Sequence, residues 1–190
     1  MGKIVVTEFV SLDGVMEDPG GSENFKHGGW SFAFDRGKDG DKFKLDEALE
    51  SEALLLGRVT YEGFAAAWPS REGEFADKFN NMPKYVVSST LDDAEWSNST
   101  VIKGDIAAEV SRLKQQPVQD LLVYGSGELL GTRLQHGLVD ELRLMVFPVV
   151  LGGGKRLFAD GADMTALKLV ETKPTGSVVI LTLQRAEEGS

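Results

Sequence analysis

Cysteine is absent from the 190-residue chain, and histidine occurs only at His27 and His136. The first absence removes disulfides, thiolate zinc sites and a cysteine nucleophile, and it fits a reducing compartment. The second leaves little for a Ser-His-Asp triad. His136 falls in the last turn of an expected helix, where positive charge is favoured structurally, and His27 sits in a loop with no evident partner. The acidic residues nowhere take a metal-ligand spacing, so no metal site is expected. Long apolar runs are also missing: the stretch over residues 144–151 is far shorter than the roughly 20 residues that cross a bilayer. The N-terminus lacks the basic-then-apolar pattern of a signal peptide, so a soluble, cytoplasmic protein without a membrane partner is expected. Positive charge is in deficit, with 20 Lys and Arg against 30 Asp and Glu for a formal charge of −10. That argues against nucleic acid as a partner, and it means that a small anionic ligand needs local donors to overcome a repelling surface.

What is present is 42% hydrophobic residues with no break in composition, enough for one core. One domain over residues 1–186 and a short tail at 187–190 are expected. Residues 3–10 (KIVVTEFV) form a continuous β-branched run and read as a buried strand. A glycine- and aromatic-rich segment follows to residue 41, long enough to suggest a lid or binding loop, with Trp30 and Phe32 as candidate substrate contacts. Helices are expected over 41–52, over 61–68 (Tyr61, Phe64, Ala65 and Trp68 at helical spacing, stopped by Pro69), from the N-cap Asp105 to Pro117, and over 128–136. Strands are expected over 53–56, 85–87, 101–102, 121–124 and 141–147, and a terminal hairpin over 167–171 and 178–183 joined through residues 173–176. This order predicts a three-layer α/β/α fold, with a mostly parallel mixed sheet and a C-terminal antiparallel hairpin.

In such sheets ligands sit outside the carboxyl ends of the strands. After the strand at 121–124 come Gly125, Ser126 and Gly127. The G-x-G-x-x-G fingerprint fails because Leu130 stands where glycine is required, and the G-x-S-x-G elbow fails at Tyr124 and Glu128. The shared physics survives, with glycines admitting close backbone approach and a helix N-terminus facing an anion. Alone, this fits a plain turn equally well. The strand at 53–56 runs into Gly57, Arg58 and Thr60, so a second glycine turn carries a permanent cation and a hydroxyl. Ser88, Ser89 and Thr90 end a third strand, and Lys103 follows a fourth. Asp13 beside Gly14 ends the first strand; it is either a turn residue or a carboxylate that orients substrate or relays a proton. Residues 152–155 (GGGK) lack the first glycine and the Ser or Thr of a P-loop and read as a flexible turn near the site.

Five segments in order, "SLDGVMEDP" (11–19), "LLLGRVTYEGF" (54–64), "KYVVSSTL" (84–91), "VYGSGELLGTRL" (123–134) and "VDELRLMVFPVVLGGGKRLF" (139–158), carry a resemblance. The chain resembles the dihydrofolate reductase-like superfamily, in particular the group of the C-terminal reductase domain of the bifunctional riboflavin-biosynthesis deaminase/reductase. The resemblance implies an NADPH-dependent reductase of a small molecule and a homodimer. Gly57, Arg58 and Thr60 would meet one phosphate region. Gly125, Ser126, Gly127, Glu128 and Leu129 would cover the pyrophosphate, Ser88 and Ser89 would lie near the adenosine 2′-phosphate, and Asp13 would serve substrate orientation or proton supply. The related riboflavin-pathway reductases carry a lysine on the strand leading to this aspartate; residues 4–12 contain none, which argues against a phosphoribosyl pyrimidine substrate. The folate enzymes' helix carboxylate and Trp-Pro lid have no evident counterpart in the sequence. A different class of reading, a nucleotide-binding or regulatory module without catalysis, shares the phosphate turns but does not need Asp13.

Overall fold

The computed structural model describes residues 2–116, 120–125, 127, 137–158, 160–161 and 163–186. Among them the strands are β1 (Ile4–Ser11), β2 (Ala53–Gly57), β3 (Lys84–Val87), β4 (Ser99–Ile102), β5 (Leu121–Tyr124), β6 (Glu141–Phe147), β7 (Leu167–Thr175) and β8 (Val178–Arg185). They form one sheet in the order β4-β3-β2-β5-β1-β6-β8-β7. β1 to β6 run parallel, and β8 and β7 are antiparallel additions at one edge.

The inner strands are apolar on both faces because helices cover both, which is why β1 and β2 read as continuous hydrophobic runs. Ile4, Val6, Leu55, Leu121 and Val123 pack on one side with Val110 and Leu113 of α4 (Ile106–Gln115). Val5, Leu54, Leu56 and Leu122 pack on the other with Ala48 of α1 (Gly37–Glu50), Tyr61 of α2 (Arg58–Ala67) and Phe79 of α3 (Glu74–Asn81). The three-layer α/β/α arrangement with its C-terminal hairpin is therefore as expected. Asp105 caps α4 by accepting from the Ala108 amide at 3.1 Å.

Three elements depart from the sequence reading. Helix α1 starts at Gly37 rather than at 41, because Gly37 and Gly40 bring its first turn against the hairpin. The Gly40 amide donates to Thr175 Oγ1 at 3.1 Å, and a Cβ at Gly37 would come within 2.8 Å of the same oxygen. Helix α3 was not foreseen; it is short, and its apolar face is only Phe75, Ala76 and Phe79. The hairpin turn is confined to residues 176–177, and Pro174 lies within β7 opposite Val179, tolerated because β7 is the outermost strand. The helix expected over 128–136 and the tail at 187–190 lie outside the described residues. Among the described residues no helix is long and apolar enough to cross a membrane.

Candidate active-site cleft

The carboxyl ends of β2, β3 and β5 and the middle of β1, at Thr7, Glu8 and Phe9, open into one cleft of about 1120 Å³. At one end its wall is the β2–α2 turn, with Gly57, Arg58 and Thr60, the β3 end, with Ser88, Ser89 and Thr90, and Lys103 after β4. Gly125 closes this region from β5. Its φ of +65° suits glycine, and a Cβ there would overlap the Thr60 hydroxyl, so the two glycine turns touch. Ser88 accepts from the Thr90 and Leu91 amides at 3.2 and 2.9 Å and fixes the bend after β3. Arg58 keeps its guanidinium half-exposed beside Glu62 at 3.1 Å, a weak surface pairing that an anion in the cleft can displace. A side lobe is aromatic: Phe64, Trp68, Phe75 and Phe79 line it, with Arg71 stacked over Trp68 at 4.5 Å.

Behind Thr7, Lys44 and Tyr124 of the cleft wall lies a network of buried charge. Glu47 of α1, 1% exposed, accepts from Thr7 Oγ1 at 2.9 Å, pairs closely with Lys44 and lies 3.9 Å from Arg143 of β6. Lys44 donates to Thr7 Oγ1 at 2.7 Å and sits over the Phe9 and Tyr124 rings at 5.2 and 5.0 Å. Burial, reinforced by Glu47, pushes the Tyr124 phenol well above its usual range. Next to this network Glu8 lines the cleft at 8% exposure; its Oε1 finds no hydrogen-bond partner among the described residues. Burial pushes its carboxyl up to about 8, against the opposing pull of Lys44 and of the Gly125 backbone.

The sequence model of the RibD C-terminal domain matches residues 2–181. The chain belongs to the RibD C-terminal domain family. It is 31% identical over 183 residues to the uncharacterized protein YyaP of Bacillus subtilis (strain 168), covering 94% of this chain and 92% of that one. Its fold matches a Shewanella sp. PV-4 protein ascribed to riboflavin biosynthesis, with a TM-score of 0.78 at 20% identity over 97% of this chain and 99% of that one. It also matches the dihydrofolate reductase of Enterococcus faecalis in its complex with NADP(H), with a TM-score of 0.64 at 16% identity over 98% of each chain.

In this RibD C-terminal domain the cleft brings together Gly57, Arg58, Thr60, Ser88, Ser89, Gly125 and Phe32, the last 79% exposed on the rim. Gly127 is buried against Met16 and is not on the wall, and Ser126, Glu128 and Leu129 lie outside the described residues. Two residues stand elsewhere than expected. Trp30 is a core residue and not on the cleft wall, edge-on to Phe147 at 5.3 Å with its indole N–H given to the Glu17 carbonyl at 2.8 Å. Asp13 is also off the cleft wall. Its carboxylate accepts from Ser11 Oγ at 2.7 Å and from the Leu151 and Gly152 amides at 3.1 and 2.9 Å, and these bonds hold it down to about 2. The glycine-rich loop is thereby pinned rather than loose, with the Lys155 amide also donating to Glu17 at 2.7 Å. Sequence reasoning missed Glu8, although its signal was available: a single acid inside a β-branched run that both faces of the sheet bury.

Proposed function

We propose that this protein is an NADPH-dependent reductase that delivers hydride to a small molecule. The observation that carries the reading is the continuity of the cleft, which joins a region of cations, hydroxyls and glycine turns to a buried, ionisable region at the central strand. A dinucleotide fits the residues present. Gly125 leaves room for backbone approach, the first turn of α2 offers amide donors and Arg58, and exposed Ser89 is available to a 2′-phosphate. When bound, the cofactor supplies hydride. The chain's own residues then hold the phosphates, exclude water through the aromatic lobe and the 16–23 loop, and set the protonation of the reacting end. Asp13, committed to three donors, braces the 149–154 loop under the cleft in this reading. Half-exposed Leu169 and Val170 on the outermost strand β7 are where a homodimer contact would form, which light scattering tests.

Thermal denaturation tests the cofactor directly, since a ligand of the native state raises its stability by mass action. NADPH is expected to raise the melting temperature more than NADH. No shift with either at millimolar concentration would sink the proposal.

A further inference from the structure

Glu8 is out of keeping with its surroundings. It occupies the middle of the central region of the sheet, between Val6 and Val10, which are core residues. Buried carboxyls are ordinarily paired, and one without a partner calls for an explanation. Of the cations that act on it, Lys44 is engaged with Thr7 and Glu47, and Lys155 makes no ion pair with it among the described residues. The ionisable groups that act on Glu8 are Lys44 and Glu47 from α1, Lys155 from the loop after β6 and Tyr124 from β5. None is in hydrogen-bond contact with it among the described residues; the Gly125 backbone, in the turn beside Thr60, favours its ionised form.

We infer that the Glu8 carboxyl is the proton donor of this cleft and that the substrate is a compound with a carbonyl oxygen or imine nitrogen to be protonated. The inference rests on the reductase reading above. As hydride reaches the electrophilic carbon, the π-bond electrons move to the heteroatom and the Glu8 O–H proton passes to it. The C=X group becomes H–C–X–H, the nicotinamide is oxidised by two electrons, and Glu8 is left as a carboxylate that regains its proton from water. Two carboxyls with opposite environments divide the work here. Asp13, held down to about 2, has no proton to give at neutral pH, whereas Glu8, pushed up to about 8, retains one. Gly125 then links the two functions of the cleft, since it borders the phosphate region through Thr60 and its backbone acts on the acid.

The test compares the wild type with Glu8→Gln and Glu8→Asp. Difference infrared spectroscopy of the ligand-free protein should show a protonated-carboxyl band at neutral pH that is lost with a midpoint near 8 and is missing in Glu8→Gln. With NADPH and whichever of phenanthrenequinone, diacetyl or pyrroline the wild type reduces fastest, Glu8→Gln should lose about 10²- to 10⁴-fold in kcat and its alkaline limb. Its NADPH-induced thermal shift should persist, and Glu8→Asp should keep the limb. Absence of the band, or an unchanged rate and pH profile in Glu8→Gln while NADPH still binds, would overturn this inference alone. Failure of NADPH to stabilise the wild type would overturn the reductase reading and this inference with it.

Discussion

Gly125, at the end of β5, lies so close to Thr60, in the first turn of α2, that any side chain on the glycine would overlap the threonine hydroxyl. The contact locks the turn after β2 and the turn after β5 into one surface, and the positive φ at Gly125 adds a conformational requirement. Gly125→Ala should destabilise the protein by about 1–2 kcal/mol from the left-handed backbone alone and should abolish the NADPH-induced thermal shift. Adding Thr60→Ala removes the overlapping oxygen and should recover part of the shift. Full NADPH binding by Gly125→Ala would contradict the contact.

Asp13 yields a pH signature. Its carboxyl is held below its ordinary value, so its contribution to stability is fully present above that value and is lost as pH falls toward about 2. Asp13→Asn should lower the melting temperature at neutral pH, and the difference from wild type should shrink steadily in acid. NADPH should still stabilise the variant, because the carboxylate braces the 149–154 loop and does not line the cleft. A difference that is constant from neutral to strongly acidic pH would show that the charge is not what the loop uses.

Much of the fold is legible in the sequence because its signals are local and redundant. The β-branched run of β1, the triple leucine of β2 and the Asp105 cap each specify an element with little help from distant residues. The turns of the cleft are legible too, since Gly57 and Gly125 follow apolar runs directly. What the sequence conceals is set by distant contacts. Gly37 and Gly40 read as helix breakers until Thr175, about 135 positions later, explains them as a close approach of helix and hairpin. Trp30 reads as a loop aromatic because nothing local reveals Phe147 beneath it. Glu8 reads as a polar interruption of a strand because Gly125 and Lys44, which give it an environment, come from other elements.

Lys84 is fully buried and donates to the carbonyls of Asn80, Met82 and Ser97 at 3.1, 2.8 and 2.8 Å, with its ammonium over Trp96 at 4.3 Å. It ties the end of α3 to β3 and to the segment before β4. Lys84→Met keeps the stem but leaves three carbonyls without their donor, and should cost about 2–4 kcal/mol in urea unfolding. Burial holds the ammonium down to about 8, below its ordinary 10.5, so the unfolded chain binds more protons in that interval and wild-type stability should rise with pH across it. In Lys84→Met that rise should be absent.

Trp30 and Phe32 are two residues apart and should behave oppositely. Trp30→Ala empties a site against Phe147 and should cost about 3–5 kcal/mol, whereas Phe32→Ala, on the rim, should leave the unfolding free energy within about 0.5 kcal/mol of wild type. Any effect of Phe32→Ala is expected in the KM of the reduced substrate. Equal destabilisation by the two substitutions would mean that the loop packs differently from the structure described.

Ser89 tests which dinucleotide the cleft prefers and where its distinguishing phosphate sits. It is exposed on the cleft wall, next to Ser88, whose hydroxyl already accepts from two amides, so Ser89 is the hydroxyl more open to a ligand. Placing a carboxylate there sets two negative charges against each other where the overall charge of −10 already disfavours anions. Ser89→Asp should therefore reduce the thermal shift given by NADPH to that given by NADH and leave the NADH shift unchanged, with the loss diminishing as ionic strength rises. If NADPH and NADH lose equally, the substitution acts on the shared pyrophosphate and the 2′-phosphate lies elsewhere. If neither changes, the cofactor does not run along the end of β3.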